Sequence, residues 1–222
     1  MEQTLERLAR FLGSVHGSTR RRDRELADAF ENAAMQRLHG DHIFTLPYRE
    51  NEFPLSEALR TRARQIWGDA RLVEAIDASY ARFLEPRGAL VHGDVQPGNL
   101  LLQGERVVLL DAEIAHIGDP AFDVGTLLAH LLLARFERPS LDVPALVTLF
   151  SSHYTEAHGT SALPTFRSAA RYAGIEVLRR TLGAARAGAV MRDDASLRAV
   201  EIGRSLTLTP PDRPEALPAP RP

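Results

Sequence analysis

Four side chains with oxygen donors lie around two short apolar runs in the middle of this sequence. Asp94 and Asn99 precede the first run, and Asp111 and Glu113 follow the second. Mg²⁺ accepts carboxylate and other oxygen ligands, usually one or two carboxylates together with phosphate oxygens. Phosphoryl transfer also needs a carboxylate that orients and deprotonates the attacking hydroxyl. These residue types therefore indicate a Mg²⁺–phosphate site.

A β-hairpin would bring the four oxygen-donor residues together. The apolar runs Leu100 to Gln103 and Arg106 to Leu110 are separated only by Gly104 and Glu105, which is typical of a hairpin. Because the second strand returns antiparallel to the first, the donors before one strand and after the other meet at the same end. The alternative is a pair of tight turns in which Asp and Asn only cap the backbone.

Helices are predicted on both sides of this hairpin, from apolar residues that recur at helical spacing. The prediction is a mainly α (α+β) fold in which residues 1–208 form one helical domain with one or two short hairpins and no parallel sheet. Residues 209–222 form a proline-rich tail that we expect to be extended and disordered from Pro210 onward. The predicted helices cover about residues 3–16, 26–38, 55–67, 71–84, 122–135, 143–158, 164–187 and 195–206.

The composition excludes several classes of protein. With 44% hydrophobic and 25% charged residues the chain is an ordinary globular one, and without cysteine it has no disulfide, thiolate metal site or cysteine nucleophile. A net charge of -2 gives no reason to expect nucleic acid as a partner. The longest apolar stretch, Val124 to Ala134, is too short to span a membrane. Because no secretion signal is evident, we expect a cytoplasmic protein.

Three segments together carry a resemblance to a known superfamily. They are His92-Gly-Asp-Val-Gln-Pro-Gly-Asn99, Leu110-Asp-Ala-Glu113 and Gly118-Asp-Pro-Ala-Phe-Asp123. A His-x-Asp-x-x-x-x-Asn loop followed by an Asp after a strand is the arrangement of kinase catalytic and metal loops. The set resembles the aminoglycoside phosphotransferase and choline kinase superfamily, whose kinase-like fold phosphorylates hydroxyls of small molecules.

Within that superfamily the chain looks most similar to methylthioribose kinases and related bacterial phosphotransferases. The similarity lies in the Asp111-x-Glu113 pair, in Ile43 to Tyr48 and in Glu176 to Gly183. The chain differs from methylthioribose kinases at Asn99, where those kinases tend to have serine. The acceptor class implied is a sugar, an aminoglycoside or an amino alcohol, with a methylthioribose-like acceptor favoured.

The resemblance implies ATP with Mg²⁺ as the cofactor and assigns roles to the four oxygen-donor residues. Asp94 would be the catalytic base, and Asn99, Asp111 and Glu113 would hold magnesium.

Four further residues receive supporting roles from the same resemblance. Asp123 would brace the catalytic loop by accepting backbone N–H bonds, with His92 hydrogen-bonded behind that loop. Arg179 and Arg180 would face the transferring phosphate or the substrate. The alternatives are an ordinary first-turn carboxylate for Asp123 and a solvated helix face for the two arginines, because adjacent helical residues point about 100° apart.

The resemblance covers roughly residues 5–205, which corresponds to the helical C-lobe of such kinases. No G-x-G-x-x-G precedes His92, and all 27 basic residues are arginine, so the strand lysine that pairs with nucleotide phosphates has no counterpart here. Three functions follow: a small-molecule kinase represented by this lobe, a non-catalytic remnant that acts as a binding module, and a Mg²⁺-dependent phosphohydrolase. Without an N-lobe, we expect apolar residues near Leu100 to Leu102 to be exposed and to favour self-association.

Overall fold

The computed structural model describes residues 1–20, 24–86, 88–104, 106–159 and 164–218. These residues form a mainly helical structure with four short strands, as the sequence predicts. No helix among them is long and apolar enough to cross a lipid bilayer. The α-helices are α1 Glu2–Thr19, α2 Arg24–Ala29, α3 Ala33–Gly40, α4 Glu57–Trp67, α5 Ala70–Leu84, α6 Ala121–Ala134, α7 Val143–His158, α8 Phe166–Leu182 and α9 Asp193–Leu208.

The four strands form two separate antiparallel pairs. The predicted hairpin is confirmed: Leu100 pairs with Leu109 and Gln103 with Arg106. The second pair joins strands distant in sequence, and Ala89 lies opposite Gly118 in it. No parallel pairing occurs among the strands of the described ranges. The strands are β1 Ala89–Val91, β2 Leu100–Gln103, β3 Arg106–Leu109 and β4 His116–Gly118.

Helix α8 lies at the centre of the packing. Its residues Ala173 and Val177 belong to an apolar cluster that also includes α1, α6, α7 and α9. Residues Tyr172 and Leu178 of the same helix belong to a second cluster built with α4 and α5. A helix buried between two clusters has few positions for charge, so any ionised group on it must find partners inside the protein.

Helix α1 extends beyond the predicted range of residues 3–16 and passes through Gly17. It packs so closely on α7 that a side chain at Gly13 or Gly17 would collide with the backbone of Tyr154 or His158. Glycine at these two positions therefore allows α1 and α7 to pack closely, and Gly17 does not end the helix. The helix reaches Thr19 and brings His16 into the interior.

The predicted helix over 26–38 is two helices in the structure. Helix α2 ends at Ala29, and α3 begins at Ala33. The segment after α3 continues as a π-helical turn, Asp41–Thr45, and a 3₁₀ turn, Leu46–Tyr48. It places Phe44 against the rings of Tyr80 and Phe83.

The proline-rich tail differs from its prediction over Pro210 to Pro218. Pro214–Ala216 forms a 3₁₀ turn, Leu217 packs into the apolar cluster around α7, and Asp212 pairs with both Nε and Nη2 of Arg167. Composition alone missed these tertiary contacts. The expectation of disorder for residues 219–222 concerns residues outside the described ranges.

The hairpin presents an apolar face to solvent. Leu101, Val108 and Leu110 lie on this face and are exposed, and the neighbouring Leu102 is exposed as well. Exposed apolar side chains grouped in this way are typical of a surface that contacts another molecule or domain.

Candidate active site

The loop between β1 and β2 carries the predicted base. Gly93 has a φ of 87°, and a Cβ there would approach the side chain of Ile114 to 2.8 Å, so only glycine fits this turn. After the turn, the 3₁₀ segment Pro97–Asn99 leads directly into β2. The loop is thus fixed at both ends, with Asp94 between them.

Asp123, in the first turn of α6, contacts this loop from behind. Its carboxylate is fully buried and accepts hydrogen bonds from the backbone N–H groups of His92 and Gly93, each at 2.8 Å. Burial alone would raise the pKa of Asp123. The hydrogen bonds from His16 and from these amides outweigh burial and lower that pKa below its usual value. This is the geometry that loop bracing requires.

His16 is a site residue that the sequence reasoning did not identify. Its Nε2 lies 3.1 Å from Asp123 Oδ2, and its Nδ1 lies 2.8 Å from the hydroxyl of Tyr154. The available signal was its position, because His16 continues the apolar stripe of Leu5 and Leu12 on the buried side of α1. A histidine at a core position needs hydrogen-bond partners in the interior.

The carboxylate of Asp94 is held on one side and open on the other. Its Oδ2 accepts hydrogen bonds from Asn99 Nδ2, at 2.9 Å, and from Gln96 Nε2. Its Oδ1 lies 3.7 Å from Arg180 Nη2, and the side chain is 22% exposed. His92 supports the turn, since its Nδ1 accepts from the N–H of Asp94 at 3.2 Å.

Asp111 follows β3 beside Asn99. The N–H of Leu110 donates to the carbonyl of Asn99 at 2.8 Å, which keeps the two hairpin ends together. Asp111 itself has a φ of 66°, the one positive φ of a non-glycine residue among the residues described. Such a backbone costs about 1 kcal/mol or more, and residues held in this way concentrate at functional sites.

Glu113, the last of the four oxygen-donor residues, contacts α3. Its side chain is 60% exposed, and its Oε1 lies 3.9 Å from His39 Nε2. Its carbonyl accepts a hydrogen bond from Asn32 Nδ2 at 2.8 Å. The structure thus joins Asp94 directly to Asn99, links Asn99 through the backbone to Leu110 beside Asp111, and places the exposed Glu113 beside His39 of α3.

These residues fit Mg²⁺ only as part of an open site. In the described ranges no three His, Cys, Asp or Glu side chains are grouped so that they could hold a metal ion alone. Asn99 uses its Nδ2 on Asp94, which leaves its Oδ1 for a ligand, and the carboxylates of Asp111 and Glu113 are exposed. Hard oxygen donors of this number suit a Mg²⁺ ion that takes its remaining ligands from water and phosphate.

Both predicted arginines converge on one buried glutamate. Glu176 lies three and four residues before them on α8, so all three side chains share one helix face. Arg179 binds the carboxylate with Nε and Nη2, each at 2.7 Å, while Arg180 binds it with Nε at 2.8 Å. The free Nη2 of Arg180 donates to Gln96 Oε1 of the catalytic loop at 3.0 Å. The solvated-face alternative for the two arginines is therefore wrong.

Comparison with known proteins identifies the chain. A model of the phosphotransferase enzyme family matches residues 2–159. The chain belongs to this family. The matched residues include the whole loop from His92 to Asn99 and also Asp123. The family model therefore covers the part of the chain that forms this site.

Curated relatives of this phosphotransferase-family chain include methylthioribose kinases. The one from Bacillus velezensis is 32% identical over 72% of this chain and 46% of the relative. The one from Geobacillus sp. (strain WCH70) is 29% identical over 89% of this chain and 57% of the relative. The chain therefore spans about half the length of the curated relatives it matches.

A solved structure shares the fold. An amicoumacin kinase in complex with AMP-PNP, Ca²⁺ and Ami superposes with a TM-score of 0.54 at 15% identity, over 96% of this chain and 61% of that one. The protein-kinase-like fold predicted from the motifs of this phosphotransferase-family chain is thereby confirmed.

Proposed function

We propose that these 222 residues are the catalytic and acceptor-binding lobe of an ATP-dependent kinase that phosphorylates a hydroxyl of a small molecule. The observation that supports this most is the Asp94 carboxylate, which is fixed by Asn99 and Gln96 on a loop braced from behind by Asp123. A half-open carboxylate on a rigid loop is what a base for an acceptor hydroxyl requires.

In this mechanism Asp94 orients the acceptor hydroxyl and accepts its proton as the oxygen bonds to the terminal phosphorus of ATP, whose bond to the β,γ-bridging oxygen breaks and releases ADP. The amide donors on Oδ2 leave Oδ1 for the hydroxyl, and Arg180 supplies a positive charge 3.7 Å from that oxygen. Asn99, Asp111 and Glu113 would hold Mg²⁺. When bound with ATP, this ion supplies neutralisation of the phosphate charge.

A methylthioribose-like sugar is the acceptor that we favour. Relatives whose alignments cover up to 89% of this chain are methylthioribose kinases. Because ATP is the donor, we propose a cytoplasmic enzyme.

A second candidate, a binding module without catalysis, is favoured by what these residues lack. The 222 residues contain no lysine to pair with the nucleotide phosphates. The apolar face of the hairpin is exposed at Leu101, Val108 and Leu110. We propose that an N-lobe packs against this face or, in its absence, a second copy of the chain.

The isolated 222-residue chain is expected to phosphorylate acceptors at least about 10²–10³-fold more slowly than the same residues joined to the N-lobe of a methylthioribose kinase. Catalysis of this type depends on positioned charge around the phosphates, and one lost contact of that kind already has such an effect. The measurement is ATP consumption with methylthioribose, aminoglycosides, choline and homoserine.

An Asp94→Ala variant of each protein is the control. Robust turnover by the isolated chain that disappears in Asp94→Ala would contradict the expectation that a second lobe is needed. Turnover by neither protein, with acceptor binding retained, would favour the binding module over the kinase.

Mg²⁺ and Mn²⁺ are expected to bind the isolated chain weakly, because the open site relies on phosphate ligands. Replacing Asp111 by asparagine should weaken binding about tenfold or more, since a carboxylate is the preferred ligand of a hard cation. Titration calorimetry measures this, with Asp77→Asn on the exposed surface of α5 as the matched control. Equal binding by the wild type and Asp111→Asn would remove Asp111 from the metal site.

A further inference from the structure

Glu176 is a buried charge to which the proposed reaction assigns no role. It is 1% exposed, in the middle of α8. Burial by itself would raise its pKa, but Arg179 and Arg180 lower the pKa of Glu176 to about 2, so it is ionised at neutral pH. Replacing a buried ion pair by well-packed apolar residues is often neutral or stabilising. Stability alone is therefore a poor reason for this charge.

The glutamate holds its two arginines in different ways. Arg179 uses both Nε and Nη2 on the carboxylate, and its fork is occupied. Arg180 uses only Nε, which orients its guanidinium plane and leaves Nη2 pointing to the catalytic loop. Because a guanidinium is planar and rigid, fixing Nε also fixes the direction of Nη2.

A continuous set of hydrogen bonds then leads from Glu176 to the proposed base. Arg180 Nη2 donates to Gln96 Oε1 at 3.0 Å, and Gln96 Nε2 donates to Asp94 Oδ2. The amide of Gln96 is thereby held at both of its ends. Its orientation decides whether Asp94 receives a donor or faces an acceptor oxygen.

We propose that Glu176 is a positioning residue that, through Arg180 and Gln96, fixes the carboxylate of Asp94 for the acceptor hydroxyl. This rests on the proposed function for the acceptor, but the contacts themselves do not depend on it. Without the charge of Glu176, Arg180 is free to move from its present 3.7 Å separation into hydrogen-bond distance of Asp94 Oδ1, which blocks that oxygen.

The test uses Glu176→Gln, which keeps the shape and removes the charge, in the isolated 222-residue chain. Nuclear magnetic resonance follows the Nε–H of Arg180 and the side-chain amide of Gln96. We expect the Nε–H of Arg180 to exchange at least about tenfold faster, which corresponds to the loss of one charge-assisted hydrogen bond. The Gln96 amide signals should shift as well. Glu201→Gln removes a surface glutamate that pairs with Arg62, and serves as the control.

Arg180→Lys is the second variant, because Glu176→Gln leaves a poorly paired group in the interior and could unfold the chain. It keeps Glu176 paired with Arg179, while a single ammonium cannot reach both Glu176 and Gln96 in the same plane. The Gln96 signals should shift here too, with a melting temperature close to wild type. Unchanged Gln96 signals in Arg180→Lys, or unchanged Arg180 exchange in a folded Glu176→Gln, would overturn the proposal.

The kinetic arm uses the 222 residues joined to the N-lobe of a methylthioribose kinase. There Glu176→Gln should lower kcat by about 10- to 100-fold, as loss of an outer-shell partner does, with a smaller change in KM. A purely structural role would lower the melting temperature and leave kcat of the folded fraction unchanged, which contradicts positioning. If the unsubstituted two-lobed protein shows no phosphoryl transfer, the proposed function fails, while the resonance arm still decides whether Glu176 positions the loop.

Discussion

Asp94→Asn in the two-lobed protein is expected to lower kcat by about 10²–10⁴-fold, the range that a general base contributes. Asparagine has the same shape, and its amide oxygen can still accept from Asn99 and Gln96 in the place of Oδ2. Its NH₂ group then occupies the place of Oδ1, where it cannot accept a proton from the acceptor. The variant therefore keeps the conformation of the loop and loses the group that accepts the proton of the acceptor hydroxyl.

Steady-state kinetics with saturating nucleotide separates these effects. Both kcat and kcat/KM should fall together, because the interaction that is removed acts in the transition state. Asp77→Asn, an exposed carboxylate on α5, should leave both constants unchanged. A rise in KM at constant kcat would mean that Asp94 only binds the acceptor, and the base would then have to be sought elsewhere.

The parts of this site that sequence reasoning predicted are local in the chain. The hairpin could be predicted because Leu100 to Gln103 and Arg106 to Leu110 are consecutive, so a short turn fixes their pairing. The catalytic loop could be predicted because its residues lie within one motif. Contacts between residues close in sequence follow from spacing alone.

The parts that were missed depend on packing between distant segments. His16 is 107 residues away from Asp123, and Arg180 is 84 residues away from Gln96. The tail at Leu217 packs beside α7 for the same reason. The spacing of neighbouring residues does not predict contacts between distant segments. The one indication in the sequence is a polar residue, such as His16, within a stripe of apolar residues on a helix.

The convergence of Arg179 and Arg180 shows where helical geometry alone was insufficient. Because adjacent helical residues diverge by about 100°, a solvated helix face was the alternative to a place in the site for at least one of the two arginines. Glu176 lies at i−3 from one and i−4 from the other, and both spacings bring side chains into contact. A buried anion before a pair of arginines is thus a better indication of their direction than the pair itself.

Asp123→Ala is expected to destabilise the chain by about 3 kcal/mol or more, because each buried donor that loses its acceptor costs about 1–3 kcal/mol. The substitution leaves the amides of His92 and Gly93 and the ring of His16 without an acceptor in the interior. Asp119→Ala, four residues earlier, is the control: its carboxylate accepts from the N–H of Ala121 at the start of α6 and pairs with the exposed Arg82, and its loss should cost about 1–2 kcal/mol.

Urea denaturation at neutral pH measures both losses. Because the pKa of Asp123 is lower in the folded chain than in the unfolded one, its stabilising contribution is present above the ordinary carboxyl pKa and is lost as the pH falls below about 4. The difference in the free energy of unfolding between the wild type and Asp123→Ala should therefore become smaller in acid. The corresponding difference for Asp119→Ala serves as the reference. Equal losses of unfolding free energy for the two variants at neutral pH would mean that Asp123 is an ordinary first-turn carboxylate. The loop would then keep its conformation without the hydrogen bonds from His92 and Gly93 to Asp123.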